Sequence, residues 1–313
     1  MAQSSNPSAP LLRIGTRGSP LALAQANMVR ARLAAAHACD PERFAIVTIR
    51  TTGDTIQDRP LAEAGGKGLF TKEIEEALAA GAIDVAVHSA KDMPTLLPAG
   101  LAIAACLPRE DARDVFISRA AKTIAALKPG AVVGTASLRR QALVLRARPD
   151  LAVVSLRGNV GTRIAKLEAG EVDATLLALA GLRRLGRADA ATAILAIDEF
   201  LPAVGQGIIA LETREDDDVT RSRIEIVGDA AAMTALVAER GFLFALDGSC
   251  RSPIAGHATI AGGEVRFRGM ILRSDGSEVL ECQRLGNVTE AAALGRDAGA
   301  ELRGRAPPGW LTG

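Results

Sequence analysis

The sequence contains no tyrosine, and aromatic residues make up only 3% of its 313 residues. Proteins that bind single-stranded nucleic acid stack the bases on aromatic side chains, so this scarcity argues against that class. The formal net charge is only +1, without the basic excess that nucleic-acid binders usually carry. We therefore expect no nucleic-acid partner.

Cysteine and histidine are also scarce, with four and three residues respectively. No two cysteines stand in a CxxC pair, and so few histidines make a structural zinc site an unfavourable interpretation. Four cysteines in a chain of this length do not form a disulfide scaffold. We expect no metal, reduced thiols and a cytoplasmic location. The cysteines are Cys39, Cys106, Cys250 and Cys282.

Long apolar runs are missing as well. The longest stretch without a charged residue, residues 93–108, contains three prolines. A membrane-spanning helix needs about 20 mainly apolar residues. Residues 1–10 lack the basic start and the apolar run of a signal peptide. The sequence predicts a protein without a membrane partner.

What the chain does contain is a large apolar fraction, 48%, beside 23% charged residues. This composition and length fit two or three globular domains. The charges are unevenly distributed: residues 131–166 hold seven basic residues against one acid, Asp150. A local basic cluster on a nearly neutral protein favours a small anionic ligand.

The first third of the chain alternates strand-like and helix-like segments. Residues 11–15, 44–49 and 83–87 are predicted strands. Ser19 and Pro20 predict a helix start, because serine caps a helix and proline fits its first position. Alternation of this kind predicts mainly parallel sheets, in which ligands bind beyond the carboxyl ends of the strands.

A second block of the same plan begins near Asp114, although no clean internal repeat is present. A strand at residues 208–211 is expected to return to the first sheet. Residues 230–246 predict a helix, followed by strands at 254–260 and 265–272 and a terminal helix, which together indicate a small α+β domain. The apolar face of the 230–246 helix is expected to hold Met233, Leu236, Val237 and Phe244.

Three local features suggest chemistry. Cys250 stands in a Gly-Ser-Cys loop, where it is either an exposed reactive thiol or a buried small side chain. Lys91-Asp92 at a strand end is either a solvated turn pair or a carboxylate that stabilises a developing cation. Basic residues recur at strand ends in both blocks; singly each reads as a surface charge, but together they suggest a cleft for a molecule with several carboxylates or phosphates. These basic residues are Arg17, Lys67, Arg139, Arg140, Arg157 and Arg163.

Several long motifs resemble the porphobilinogen deaminase family in their order and spacing. They are RIGTRGSP from Arg13, GGKGLFTKE from Gly65, VHSAKDMP from Val87, GTASLRRQ from Gly134, SLRGNVGTR from Ser155, AGLRRLG from Ala180, LPAVGQG from Leu201 and LDGSCRSPI around Cys250. The resemblance covers nearly the whole chain. It implies an α/β fold of two domains like those of type II periplasmic binding proteins, plus a smaller C-terminal α+β domain. The implied domains are 1–107 with 208–227, 108–207, and 228–313.

The resemblance also implies the activity. The expected enzyme joins four porphobilinogen units, with loss of ammonia, into hydroxymethylbilane in tetrapyrrole biosynthesis. A dipyrromethane cofactor would be attached to Cys250 through a thioether, and Asp92 would stabilise the cationic methylene-pyrrole. The resemblance suggests a monomer whose product passes to uroporphyrinogen-III synthase.

Each pyrrole ring carries an acetate and a propionate, which explains why one site needs many cations. Residues expected to contact the cofactor, besides Cys250, are Lys91, Ser89, Thr135, Ser137, Arg139, Arg140 and Asn159. Residues expected to contact the substrate are Arg17, Ser19, Lys67, Phe70, Arg157, Arg163, Arg184 and Gln206.

Two positions depart from the family pattern. Glu63 stands where many members carry a lysine, so one carboxylate contact is in doubt, and Ser252 replaces a β-branched residue. Two other functions stay open from the residues alone. One is a non-enzymatic protein that binds a small anion; the other is a cysteine hydrolase that pairs Cys250 with His88 or His257.

Overall fold

The computed structural model describes residues 10–55, 68–247, 252–307 and 310. Glu63, Lys67 and Cys250 lie outside the described residues, so the predictions for these three stay predictions. The strands are β1 (Leu12–Arg17), β2 (Phe44–Ile49), β3 (Val85–Ser89), β4 (Leu101–Cys106), β5 (Asp114–Ser118), β6 (Val132–Gly134), β7 (Ala152–Val154), β8 (Ala174–Ala178), β9 (Ala193–Ile194), β10 (Ile209–Arg214), β11 (Ile254–Ala261), β12 (Glu264–Leu272) and β13 (Val279–Asn287). The helices are α1 (Pro20–Ala36), α2 (Thr52–Thr55), α3 (Lys72–Ala79), α4 (Leu138–Ala147), α5 (Val160–Glu168), α6 (Leu179–Arg184), α7 (Asp218–Glu225), α8 (Ala230–Ala245) and α9 (Ala291–Arg305).

The first sheet has the strand order β2-β1-β3-β10-β4. Strand β1 pairs in parallel with β2 and β3, whereas β10 is antiparallel to both of its neighbours. The strands are apolar on both faces, as expected for a sheet covered by helices. Helix α1 starts as predicted, with Pro20 at its first position and Ser19 Oγ accepting from the backbone N–H of Ala22 at 3.3 Å.

The second sheet repeats this plan with the order β7-β6-β8-β5-β9. Its fourth strand, β5, is again the antiparallel one. The chain crosses from the first sheet to the second between β4 and β5, and it returns between β9 and β10. Each sheet is therefore mainly parallel, and its one antiparallel strand directly follows a crossing. The predicted return of a strand near residue 208 to the first sheet is confirmed.

The third unit is an antiparallel sheet, β11-β12-β13, covered by α8 and α9. Its core is built around Phe242 and Phe267, whose ring centroids lie 5.1 Å apart. This matches the predicted small α+β domain, although β13 was not predicted. The α/β class of the chain as a whole is confirmed.

The expected apolar face of α8 is wrong in part. Val237 and Phe244 are 37% and 51% exposed. Helix α9 approaches α8 so closely that a Cβ at Gly295 would lie 1.9 Å from the carbonyl oxygen of Ala238. Burial on α8 thus follows the contact between small residues and not the positions of the largest apolar side chains.

A buried ion pair joins both crossings to the third domain. Arg109, which lies between β4 and β5, places its Nη1 2.5 Å from Glu239 Oε1 on α8. The same carboxylate accepts from the backbone N–H groups of Gly205 at 2.6 Å and Ala258 at 2.8 Å. Arg109 Nε also donates to the carbonyl of Gln206 at 2.9 Å. Glu239 therefore fixes the relative position of three chain segments that are distant in sequence.

Among the helices of the described ranges, none has the length and apolar character that a membrane crossing requires.

Candidate functional site

An open pocket lies at the carboxyl ends of β1 and β3. Parallel sheets bind their ligands at this edge, so its position agrees with the prediction from the sequence. Five of the predicted site residues line it: Arg17, Ser19, Phe70, Ser89 and Asp92. The other lining residues are Leu21, Ala22, Gln25, Thr71, Val87 and His88.

The side chains around this pocket are held in place by one another. The guanidinium carbon of Arg17 lies 4.1 Å from the centre of the Phe70 ring, which is a cation–π contact. Gln25 on α1 is buried, and its Nε2 donates to Ser89 Oγ at 2.9 Å. A cation, a hydroxyl and an amide thus surround the pocket from β1, β3 and α1.

Asp92 is exposed at the end of a single 3-10 turn, Ala90–Asp92, that directly follows β3. The turn is anchored where the backbone N–H of Ala90 donates to the carbonyl of Ile208 at 3.0 Å. Gly205 has φ +72°, and a Cβ on it would lie 3.0 Å from the backbone N of Lys91. Because glycine alone tolerates both conditions easily, the returning chain can pack directly against the turn.

A second carboxylate, Asp114, is fully buried between two arginines. Its two oxygens lie 2.7 Å from Arg139 Nη2 and from Arg140 Nη2. Each arginine also donates to a backbone carbonyl, that of Leu201 and that of Leu176 respectively. Burial alone would raise the pKa of Asp114, but the charges and hydrogen bonds of the two arginines outweigh it and lower this pKa to about 2. Arg139 and Arg140, predicted to bind the cofactor from the surface of a cleft, are therefore 4% and 5% exposed and already paired.

Lys91 connects Asp114 to the pocket side through Gln206. Lys91 Nζ donates to Gln206 Oε1 at 3.4 Å, and Gln206 Nε2 donates to Asp114 Oδ1 at 3.1 Å. Gln206 is only 1% exposed, so it lies beneath the predicted cleft instead of lining it. Desolvation and, to a smaller extent, the charge of Arg140 together lower the pKa of Lys91 to about 8, against the opposing effect of Asp92 and Asp114.

Arg163 belongs to the same electrostatic neighbourhood from the side of the second domain. Burial and the charges of Arg140 and Arg157 lower its pKa to about 10, and Asp92 opposes this change. Its Nε donates to the carbonyl of Gly158 at 2.9 Å. Lys91, Arg140 and Arg163 are therefore near one another and near the exposed Asp92 carboxylate.

The remaining predicted residues of the second domain begin helices or loops at its strand ends. Ser137 Oγ caps α4 by accepting from the backbone N–H of Arg140 at 3.4 Å, and Thr135 Oγ1 accepts from the N–H of Ser137 at 3.1 Å. Asn159 Oδ1 caps α5 by accepting from the N–H of Thr162 at 2.9 Å. These three side chains therefore shape the sheet edge from which the arginines project.

Arg184 on α6 reaches the returning connector. Its Nη2 donates to the carbonyl of Gly207 at 2.6 Å, and burial lowers its pKa to about 10 while Glu110 opposes the change. Its Nε is buried and finds no hydrogen-bond partner within the described part of the chain. An oxyanion next to this guanidinium would satisfy it.

Sequence reasoning missed three groups that organise the site. Gln25 lies in the middle of an Ala-rich helix, and Asp114 looks like the start of an ordinary strand. Glu212 on β10 is fully buried and lies 3.0 Å from Nε2 of His88, 124 residues away in the chain. No short-range pattern marks any of these, because their partners come from distant segments. Within the described residues, the site combines the exposed Asp92 carboxylate with several cations, which suits a ligand carrying several carboxylates.

Two family models match the chain. The first, described as porphobilinogen deaminase, dipyromethane cofactor binding domain, matches residues 12–222. The second, described as porphobilinogen deaminase, C-terminal domain, matches residues 233–304.

Curated relatives match over almost their full length. The porphobilinogen deaminase of Nitrobacter winogradskyi is 62% identical over 310 residues, which are 99% of this chain and 98% of the relative. That of Paracoccus denitrificans is 54% identical over 307 residues, 98% of each chain.

Solved structures with a similar course of the chain include periplasmic binding proteins. The methionine-binding protein MetQ aligns with 13% identity and a TM-score of 0.44, over 69% of this chain and 89% of its own. A periplasmic substrate-binding protein of Coxiella burnetii aligns with 14% identity and a TM-score of 0.43, over 71% and 94%.

Proposed function

The chain belongs to the porphobilinogen deaminase family, and from that premise we propose which of its residues carry the reaction. The activity is that of a transferase: it condenses four porphobilinogen molecules stepwise, with release of ammonia, into the linear tetrapyrrole hydroxymethylbilane. The family carries a dipyrromethane cofactor, and this chain matches its cofactor-binding domain. Family membership also decides against the two other functions that the residues alone left open, a non-enzymatic anion-binding protein and a cysteine hydrolase.

The residues present suit a dipyrromethane group. Two pyrrole rings with an acetate and a propionate each bring four carboxylates. The pKa of Lys91 and that of Arg163 are both lowered, mainly by burial of the charge and to a smaller extent by the charges of neighbouring arginines. Carboxylates placed among these cations would offset both the burial of the positive charges and their mutual repulsion. This excess of confined positive charge is the single observation that carries the proposal.

We propose that Cys250 holds the cofactor through a thioether. The residues that would hold its carboxylates and ring N–H groups are Lys91, Ser89, Thr135, Ser137, Arg140 and Asn159, with Arg139 supporting Arg140 through Asp114. When bound, the group supplies the chain end to which new pyrrole rings are added.

Asp92 is the proposed catalytic carboxylate. Loss of ammonia from porphobilinogen leaves a cationic methylene-pyrrole, and a fixed carboxylate beside the pyrrole N–H stabilises that charge. Asp92 lines the pocket that Arg17 and Ser19 also line, so a substrate carboxylate bound by Arg17 would bring the ring toward Asp92. Orientation of this kind lowers the entropic part of the barrier.

The other proposed substrate contacts come from both domains. They are Ser19, Lys67, Phe70, Arg157, Arg163 and Arg184. Gln206 is assigned a supporting role, because it is buried and hydrogen-bonds Lys91. We further propose the domain division 1–107 with 208–227, 108–207, and 228–313, a monomeric state, a cytoplasmic location and transfer of the product to uroporphyrinogen-III synthase.

The intact mass of the denatured protein tests the cofactor assignment. We expect the wild-type mass to exceed that of the bare sequence by one dipyrromethane unit, located on the Cys250 peptide. Cys250→Ser is the matched control, since it removes one sulfur without a large change of shape, and it should show the bare mass. Cofactor still covalently bound in Cys250→Ser would refute the anchor. A bare wild-type mass that stays unchanged after porphobilinogen is added would refute the cofactor chemistry itself.

A further inference from the structure

A buried pair of side chains fixes the end of β3, just before the turn that carries Asp92. His88, the fourth residue before Asp92, places its Nε2 3.0 Å from Glu212 Oε2 on β10. His88 is 5% exposed and Glu212 is fully buried. This distance is that of a hydrogen bond, which restricts the orientation of the imidazole ring. Strand β3 is thereby tied to β10 at the point where the turn begins.

The residues that directly follow the turn are held by a side chain of α8. Arg240 on α8 donates through its Nη2 to the carbonyl of Pro94 at 2.9 Å and to that of Thr95 at 2.8 Å. Burial lowers the pKa of Arg240, and the negative charge of Glu212 opposes this change. Glu212 and Arg240, which hold the chain before and after the turn, therefore interact electrostatically with each other.

Apolar packing joins the same elements. Ala90 and Met93, on either side of Asp92 in the chain, are buried in one cluster with Ala232 and Leu236 of α8. Helix α8 thus contacts the Asp92 segment through both an apolar surface and a charged side chain. A loop position fixed in this way keeps its geometry more strictly than a solvated turn.

Helix α8 ends at Ala245, a few residues before Cys250. In the sequence, the helix that contacts the Asp92 segment therefore stands just before the segment that contains the cysteine. We propose that Arg240 and Glu212 are positioning residues for Asp92, and that Arg240 sets the catalytic carboxylate relative to the cysteine-bearing domain. This inference rests on the proposed role of Asp92, and it assigns to the third domain a part in catalysis beyond holding the cofactor.

The expected cost follows from geometry. A displacement of about 1 Å in a reacting group can reduce a rate roughly 100-fold. Without Arg240, the carbonyls of Pro94 and Thr95 lose their donor and the turn can move away from α8. Substrate carboxylates bind elsewhere, at the arginines, so KM should change little while kcat falls.

Arg240→Met tests this. We expect kcat to fall about 10-fold or more, with KM within about twofold of wild type. Arg148→Met is the matched control, because Arg148 Nη1 also donates to two carbonyls, those of Ala125 at 2.7 Å and Leu127 at 3.0 Å, away from the site. Both variants should lose thermal stability, but Arg148→Met should keep the wild-type kcat. Arg240→Lys, which keeps a donor and the charge, should recover part of the rate even if Arg240→Met folds poorly.

A double-mutant cycle supplies a readout that a merely structural role would not give. If Arg240 acts through Asp92, then adding Arg240→Met to Asp92→Asn should not slow the residual single-turnover rate further, as followed by the mass of the loaded enzyme. Glu212→Gln, added to Asp92→Asn, should likewise leave the residual single-turnover rate unchanged. The proposal is overturned if Arg240→Met and Arg240→Lys lower the melting temperature but keep the wild-type kcat, or if the two effects multiply. Failure of the proposed function looks different, since Asp92→Asn alone would then turn over normally.

Discussion

Two aspartates act on Lys91, and their surroundings are opposite. Asp114 is fully buried, and both of its oxygens accept hydrogen bonds from arginines. Asp92 is exposed on a short turn and lines an open pocket. One carboxylate is fully engaged by the protein, and the other faces the space that a ligand enters.

The two carboxylates differ in the number of their protein partners, and this difference is the basis of the two roles that we propose for them. Asp114 neutralises one of two buried positive charges, so Arg139 and Arg140 together keep a net charge of +1 near the site. Such a group organises the cations that a polyanion needs. Asp92 retains its capacity to interact and is therefore suited to stabilise a cation that forms during the reaction.

The largest expected effect comes from Asp114→Asn. This change leaves two buried guanidinium groups without their counter-charge, and breaking a buried pair in this way typically costs about 3–5 kcal/mol. We expect this loss in the free energy of unfolding, measured by urea denaturation. Asp150→Asn is the control, because Asp150 pairs with Arg148 at 2.6 Å but is 41% exposed, and exposed pairs contribute little to stability. Equal losses in the two variants would contradict the structural role of Asp114.

Asp92→Asn should give the reverse result. It removes a charge with almost no change in shape, so the melting temperature should stay within a degree or two of wild type, roughly what a surface change gives. Turnover should fall about 100- to 1000-fold, the loss seen when one electrostatic stabiliser is removed. Steady-state release of hydroxymethylbilane provides the measurement. Near-normal turnover would contradict the catalytic role proposed for Asp92, because the exposed aspartate would then have no special function.

A smaller, pH-dependent effect is expected from Lys91, the cation on which both aspartates act. Its pKa is lowered from 10.5 to about 8, so its positive charge is present below about pH 8 and is lost above it. Losing one hydrogen bond to a charged group costs about 1.5–3 kcal/mol, so the cofactor-free protein should need about 10-fold or more porphobilinogen to become half-loaded with cofactor, as followed by intact mass, once the pH passes this value. Lys91→Arg keeps its charge and should remove this alkaline loss. An identical pH profile in the two proteins would show that another group titrates.

The sequence was sufficient to predict those parts of the fold that depend on neighbours in the chain. The helix start at Ser19 and Pro20, the first three strands and the strand returning near residue 208 are examples. Each follows from a cap, from β-branched composition or from apolar periodicity, all of which act over a few residues.

The sequence was not sufficient for groups whose partners are distant. Arg139 and Arg140 were predicted to lie on a cleft surface, because no nearby residue in the sequence indicates that Asp114 lies between them. Gln206 was expected to line the cleft for the same reason. On α8 the apolar pattern failed because close approach of α9 requires glycine and alanine at the contact, which leaves Phe244 outside. Burial of this kind depends on tertiary packing and leaves no local signal.

The smallest expected effect concerns a third carboxylate, Glu75 on α3, which is buried. Burial raises the pKa of Glu75 and the charge of Glu212 acts in the same direction, while the Thr71 hydroxyl and His88 oppose the change. The folded protein then holds this proton more firmly than the unfolded chain, so the cost of ionising Glu75 is absent at pH 4 and present at pH 8. Glu75→Gln should stabilise the protein at pH 8 and leave it unchanged at pH 4, as measured by urea unfolding. Glu73 on the same helix is the control, because hydrogen bonds from Thr52 outweigh burial and lower its pKa. Glu73→Gln should therefore lose stability at pH 8, and a change of the same sign in both variants would show that partners do not decide the behaviour of these carboxylates.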